Sequence, residues 1–396
     1  MTENLRRAPV FVPAFIPLIT ATFVVVTTEF LLIGLLPTLA DDLGISLADA
    51  GWFVTCFALA ASFLGPLLAL LAEPYNPRVI LILSLLIFAA SNMTIAVAPD
   101  YTVIIAARLI QGSIFPTVIS VASVAASRLT TAEKEGQAIS LVTTGIVGAT
   151  LLGIPLGTLI ASEVSWQMSF IVLSCLSALS AGAIAIGFPR IDRPRSSVTL
   201  ADVSLLWRSH FLVHLLLSCI LFTGMFAGYT YINALLNSFS YIDGSAIVWI
   251  LMGFGLAGIL GNWLAGRTID RNPLSVTAWI ALSLTAAMAT IIPMGETSPL
   301  FLILIIGIWG AAHAAAFVAC QVRVMKAGRT APVFATSLNI SACNLGIAFG
   351  ATVGGQAIDY YTVESVGYFG AITTLAAFLI IVSMKATRTN PHVDTE

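Results

Sequence analysis

Long apolar stretches alternate with short polar breaks along the whole chain, and the stretches outrun what a core helix or strand of a soluble domain needs. A helix rises about 1.5 Å per residue, so a bilayer core of about 30 Å takes about 20 apolar residues. Twelve stretches meet that length, near 11–38, 48–72, 79–98, 102–126, 136–160, 167–188, 210–237, 246–266, 274–293, 299–322, 331–357 and 362–385. Their continuous apolarity predicts helices, because the strands of a membrane barrel alternate in short segments. The first stretch follows Arg6 and Arg7 as a secretory signal would, but it is too long for one, and we expect it to stay in the mature protein.

Composition strengthens this reading. Hydrophobic residues make up 58% of the 396 and charged residues 9%, where a soluble protein carries about 25% charged. The net charge of −2 offers no field for nucleic acid. Cys56, Cys175, Cys219, Cys320 and Cys343 all lie in apolar runs without CxxC spacing, so they read as small packing residues, with neither a disulfide framework nor a metal site.

The placement of charge sets the topology. With the N-terminus cytoplasmic, the inside segments take every lysine and arginine except Arg108, among them Arg78, Arg128, Lys134, Arg208, Arg267, Arg271, Arg323, Lys326 and Arg329. The outside loops carry acids only. Adding or dropping one span breaks this division, so both termini are expected in the cytoplasm. The polar stretch 189–209 separates six spans from six, predicting an N-terminal bundle (1–188), a cytoplasmic linker (189–209) and a C-terminal bundle (210–396). Gly65 and Gly261 match across that divide, as do Ala149, Gly153 and Gly157 with Gly346, Gly350 and Gly354, each pair about half the chain apart. The fold class is therefore all-α integral membrane, twelve helices in two similar six-helix bundles.

A carboxylate within a spanning helix is expensive unless it faces a cavity or a partner, and Glu29 stands in one. Arg108, in the fourth span, is close enough in depth to pair with it. Burial and a nearby arginine act in opposite senses on a carboxyl, so a change of access between two conformations changes its proton occupancy. A fixed salt bridge between helices is the plainer alternative. Arg108 shares a helix face with Gln111, and Gly112 beside it permits close backbone approach. At the repeat offset, apolar residues stand where Glu29 and Arg108 would recur, so the proton site belongs to the N-terminal half and an uncharged substrate surface to the other.

Candidates for that surface are Phe226, Tyr229, Tyr231, Asn233 and Asn237 in the seventh span, His313 in the tenth, and Asn339 and Asn344 in the eleventh, with Gln111 from the first half. Rings and amides without ions suit a neutral or amphipathic molecule. Gly153, Pro155 and Gly157 in the fifth span combine close packing with a bend. GFGLAG at 253–258 fits a dinucleotide pattern but lies inside a spanning helix, and no nucleophile, P-loop or metalloprotease motif is present, so we expect no cofactor and no enzymatic activity.

Four motifs carry a resemblance. TTEFLLIGLLPTLADDLGIS (27–46), ARLIQG (107–112), LGIPLGTLI (152–160) and GNWLAGRTIDR (261–271) make the chain similar to the major facilitator superfamily. More narrowly, they resemble its drug/proton antiporter branch, which includes bacterial sugar-efflux and arabinose-efflux-like permeases. The resemblance implies alternating access of two bundles around a central cavity, with Glu29 and Arg108 in proton coupling and Gly153, Pro155 and Gly157 as the hinge. It also implies gating loops at Gly65, Glu73 and Arg78 and at Gly261, Arg267, Asp270 and Arg271. The first of these loops lacks the family's aspartate–arginine pairing, and Gln167 stands where relatives commonly carry arginine. The expectation is a monomeric, proton-coupled exporter of a small organic molecule such as a drug or sugar, in the bacterial inner membrane. Its partners would be substrate, protons and lipid. The alternatives are a proton-linked importer, a passive facilitator, or a non-transporting membrane sensor.

Overall fold

Polar side chains set the helix ends in the computed structural model, which describes residues 12–72, 74–129, 142, 144–188, 207–242, 244–269, 271–330 and 332–389. Asn76, Asp100, Ser165, Asn272 and Ser298 each accept a hydrogen bond from a backbone N–H in the first turn that follows, and Pro77, Pro273 and Pro299 open their helices. Twelve helices are long and apolar enough to cross a membrane, and no strand occurs among the described residues. They are α1 (Val12–Leu43), α2 (Leu47–Ala72), α3 (Pro77–Val97), α4 (Tyr101–Arg128), α5 (Thr144–Glu163), α6 (Trp166–Gly187), α7 (Ser209–Asn237), α8 (Gly244–Thr268), α9 (Pro273–Gly295), α10 (Pro299–Ala327), α11 (Pro332–Tyr360) and α12 (Ser365–Thr389).

The chain divides into two compact units, Met1–Ile45 with Cys56–Ser196 and Ser46–Thr55 with Ser197–Glu396. In the first, α1 packs on α4, α5 and α6, and α3 lies between α4 and α6. In the second, α7 packs on α11 and α12, and α10 lies between α8 and α9. Lipid tails are as apolar as leucine, so helices in a membrane gain from close packing rather than from escaping water. Both units achieve it in matching ways. Gly112 of α4 lies against the main chain of α2 at Phe57, and Gly310 of α10 lies against the main chain of α8 at Phe254. Gly153 and Gly157 of α5 face Thr27 and Leu31 of α1, while Gly350 and Gly354 of α11 face Thr223 and Ala227 of α7. A side chain at any of these glycines would collide with the neighbouring helix.

Four helices depart from the expected spans for local reasons. The first runs on to Leu43, where Gly44 at φ 62° reverses the chain and Ile45 N–H reaches back to the Ala40 carbonyl at 3.0 Å. Glu29 therefore lies about 21 Å from the end of α1, nearer its middle than expected. In α5 the stretch Ala149–Gly153 is a π-helical turn, closed by Ile154 N–H on the Ala149 carbonyl, and Pro155 follows with no N–H to give to Leu151. Helix α7 breaks at Thr230 and Tyr231 before resuming at Ile232–Asn237, since the backbone of Tyr231 is not helical. Helix α10 continues to Ala327, so Arg323, expected in a loop, is inside the helix and 1% exposed.

The glycine crossings give a direct test. Gly112→Val overpacks the α2–α4 crossing, a change that costs about 1–3 kcal/mol in tightly packed sites, and should lower the Tm of the purified protein by about 5 °C. Gly253 has nothing within 4 Å of an added Cβ, so Gly253→Ala should leave Tm unchanged or slightly raised.

Candidate functional site

Arg108 gathers the first four helices. It is 0% exposed. Its Nη1 donates to the Thr28 carbonyl oxygen at 2.9 Å and to Gln111 Oε1 at 3.2 Å, and its Nη2 donates to the Glu29 carbonyl oxygen at 3.0 Å. Gln111 Nε2 in turn donates to Asn92 Oδ1 at 2.9 Å, and Asn92 Nδ2 donates to Thr28 Oγ1 at 3.2 Å. These bonds close a circuit through α1, α3 and α4. The Phe57 ring of α2 completes the surroundings, with the guanidinium carbon 4.2 Å from its centroid.

Glu29 is the only acid among the buried polar and charged residues described, at 6% exposure. The hydrogen bond that joins it to Arg108 uses its main chain, so the guanidinium holds α1 by its carbonyls while lending the carboxyl its charge. Chemically, the arrangement can stabilise a carboxylate in a water-poor place without consuming its oxygens in the anchor.

Beside this cluster, α5 presents Gly153 and Gly157 to α1, and Pro155 between them is buried as well. Further contacts brace the same region. Ser169 Oγ donates to the Gly157 carbonyl at 2.7 Å, and Trp166 Nε1 donates to Asp42 Oδ2 at 2.8 Å. Gln167 reaches the same Asp42 oxygen at 3.5 Å, which joins the start of α6 to the end of α1 without an arginine.

Around His313 the C-terminal unit carries rings, and its buried arginine, Arg323, lies apart from them near the end of α10. His313 is surrounded by Tyr229, Phe226, Phe254 and Phe317 at centroid distances of 4.3, 5.3, 5.4 and 5.8 Å. Phe222 extends the cluster by stacking on Phe226 at 6.1 Å. Within this unit His313 Nδ1, Trp309 Nε1 and Asn344 Oδ1 are buried with no hydrogen-bond partner among the described residues. Buried polar atoms are seldom left so without a ligand, water or ion to meet them.

Other predicted substrate residues are placed differently. Tyr231 donates its hydroxyl to the Ala351 carbonyl at 2.7 Å, a bond between α7 and α11. Asn237 Nδ2 donates to Asn233 Oδ1 at 3.0 Å. Asn339 accepts from Ser218 at 2.8 Å and donates to Gln321 at 3.0 Å, while Asn344 Nδ2 donates to the Ile340 carbonyl at 3.0 Å.

In the first gating loop Gly65 packs on Pro116, and Arg78 donates to the Ala185 carbonyl of α6. Glu73 lies outside the described residues, as does Asp270 of the second. Gly261 lies against the Ala311 main chain, Arg267 covers the Trp263 ring at 3.8 Å, and Arg271 is exposed. Sequence reasoning missed Asn92, Thr28, Phe57, Phe254, Phe317 and Trp309. For Asn92 the signal was present, since a carboxamide in mid-span needs a partner.

Twelve spans in two units with matching glycine crossings define a multi-pass membrane protein built on a duplicated bundle. Residues 18–332 match the model of the Major Facilitator Superfamily, and the chain belongs to that family; it is a transporter, not an enzyme. It is 29% identical over 376 residues to the uncharacterized MFS-type transporter YtbD of Bacillus subtilis (strain 168), covering 93% of this chain and 94% of that one. It is also 29% identical over 365 residues to the inner membrane transport protein YdhP of Escherichia coli (strain K12), covering 91% and 92%. Among solved structures, the nucleoside transporter NupG superposes with a TM-score of 0.79 at 16% identity, over 94% of this chain and 99% of that one. A D-xylose–proton symporter gives 0.76 at 13% identity, over 94% and 97%. These two likenesses are of fold.

The hydrogen-bond circuit makes a paired prediction. Gln111→Leu leaves Asn92 Oδ1 without its donor and should destabilise the protein by about 2 kcal/mol, read as a lower Tm. Replacing Asn92 by Leu as well should recover part of that loss, because two apolar partners cost less than one stranded amide.

Proposed function

We propose that this transporter exports a small neutral or amphipathic organic molecule in exchange for protons, across a bacterial cytoplasmic membrane and as a monomer with both termini inside. The observation that carries the reading is Glu29, a buried acid whose helix is held at that residue by Arg108. In this account Glu29 binds and releases the proton, and Arg108 supplies the positive charge that makes release possible in a water-poor setting. Gln111 steadies Arg108. The rings of Phe226, Tyr229 and His313 receive the substrate, and His313 Nδ1, Trp309 Nε1 and Asn344 Oδ1 offer it hydrogen bonds. Gly153, Pro155 and Gly157 act as the hinge, for which the π-helical turn beside them is support.

Substrates are sought by proton release from the purified protein as compounds are added, and transport is then followed in proteoliposomes under an imposed pH gradient. Glu29→Gln should fold, keep its Tm and bind the same compound, yet its gradient-driven export should fall to the level of protein-free liposomes. Undiminished export by this variant removes the coupling role of Glu29. Inward accumulation of substrate with the proton gradient replaces export by symport.

A further inference from the structure

We infer that the end of the second unit where α7, α9 and α10 meet is a binding site for a phosphoryl oxyanion. The site stands apart from the transport residues above. At its centre is Arg323, one turn before the end of α10 and 1% exposed. All the acceptors it meets among the described residues are neutral. Nη1 donates to the His214 carbonyl at 3.0 Å and lies 3.2 Å from His214 Nδ1, and Nη2 lies 2.8 Å from Ser218 Oγ and 3.5 Å from Cys320 Sγ. Its Nε–H has no acceptor among the described residues. A buried cation held only by neutral groups is costly, and a paired anion is the usual remedy.

The space for one is there. A cavity of about 170 Å³ is lined by His210, His214, Asn272, Arg323, Lys326 and Arg329 together with apolar neighbours, and no carboxylate lines it among the described residues. One water takes up about 30 Å³ in the liquid, so the cavity exceeds a single water several times over. A guanidinium only donates, so His214 Nδ1 accepts from it. Helix α9 begins at Pro273 and α7 at Ser209, so two helix N-termini turn their partial positive charge to this end. Phe211, Val324 and Ala335 pack into an apolar floor beside it. The forked N–H groups of arginine match phosphate oxygens, and lysine adds a point charge.

Trp207, 87% exposed just before α7, marks the depth as that of a membrane interface. The same phosphoryl chemistry is offered there by an acidic phospholipid headgroup and by soluble phosphate. Either occupant would tie the ends of α7, α9 and α10 together.

The test uses the purified full chain, with Tm as readout. One arm titrates inorganic phosphate into protein in phosphatidylcholine nanodiscs, against chloride at equal ionic strength. The other compares phosphatidylglycerol with phosphatidylcholine nanodiscs in phosphate-free buffer. At about ten times the dissociation constant, Tm should rise by about 2–4 °C in at least one arm. Lys326 is half-buried and Arg329 exposed, so Lys326→Gln with Arg329→Gln should fold with normal Tm in neutral, phosphate-free nanodiscs and lose at least half of that rise. A response to phosphate identifies a soluble anion, and a response to phosphatidylglycerol alone identifies the headgroup. No rise in either arm, a rise the double variant keeps in full, or an equal rise with chloride overturns the assignment. Arg323→Gln should abolish the response, and if that variant does not fold the rim variant still decides.

Discussion

A bilayer offers no water to a helix that turns a polar group inward, and the architecture answers that constraint twice over. Main chains are brought into direct contact at glycines, so dispersion acts over short distances, and the polar side chains around Arg108 are bonded to one another or to carbonyls. The crossing of α4 on α2 at Gly112 lies four residues from Arg108, whose donors are taken up by α1 and by Gln111. The close approach and the polar circuit occur at one level of the first unit. The second unit repeats the approach at Gly310 but fills the corresponding surroundings with Phe254, Tyr229 and His313.

That asymmetry is the chemical content of the molecule. A duplicated scaffold supplies the same crossings to both halves, with an arginine and an acid beside the crossing of the first unit and rings around His313 in the second, whose own buried arginine, Arg323, lies toward the end of α10. Membership of the Major Facilitator Superfamily makes transport the role of the whole. The proposed division of proton and substrate between the units draws on residues that sit on equivalent helices of a repeat.

The spans were legible because bilayer thickness imposes a length, and the duplication because glycines at crossings cannot change freely. What escaped were features that depend on a neighbour. Nothing in FTGMFAGYTYINALLNSF marks Tyr231 as the break in α7, because that side chain is committed to Ala351, far away in sequence. Arg323 counted as a loop cation by position, while the length of α10 and the carbonyl of His214 put it inside. Pro155 announced a bend, but nothing in the letters before it announced the π-helical turn Ala149–Gly153 that packs on α1. For the aromatic cluster, the seventh span named Phe226 and Tyr229, while Phe254, Phe317 and Trp309 come from helices whose rings are common in any membrane segment.

The way Arg108 holds α1 has a mechanical consequence. Its grip is on two peptide oxygens, Thr28 and Glu29, which carry the same partial charge whatever becomes of the acid attached to one of them. Tether and carboxyl are thus separate parts of a single residue pair. The acid can be neutralised or ionised without slackening the strap that keeps its helix in register, much as a lamp may be switched on and off without loosening the bracket that carries it.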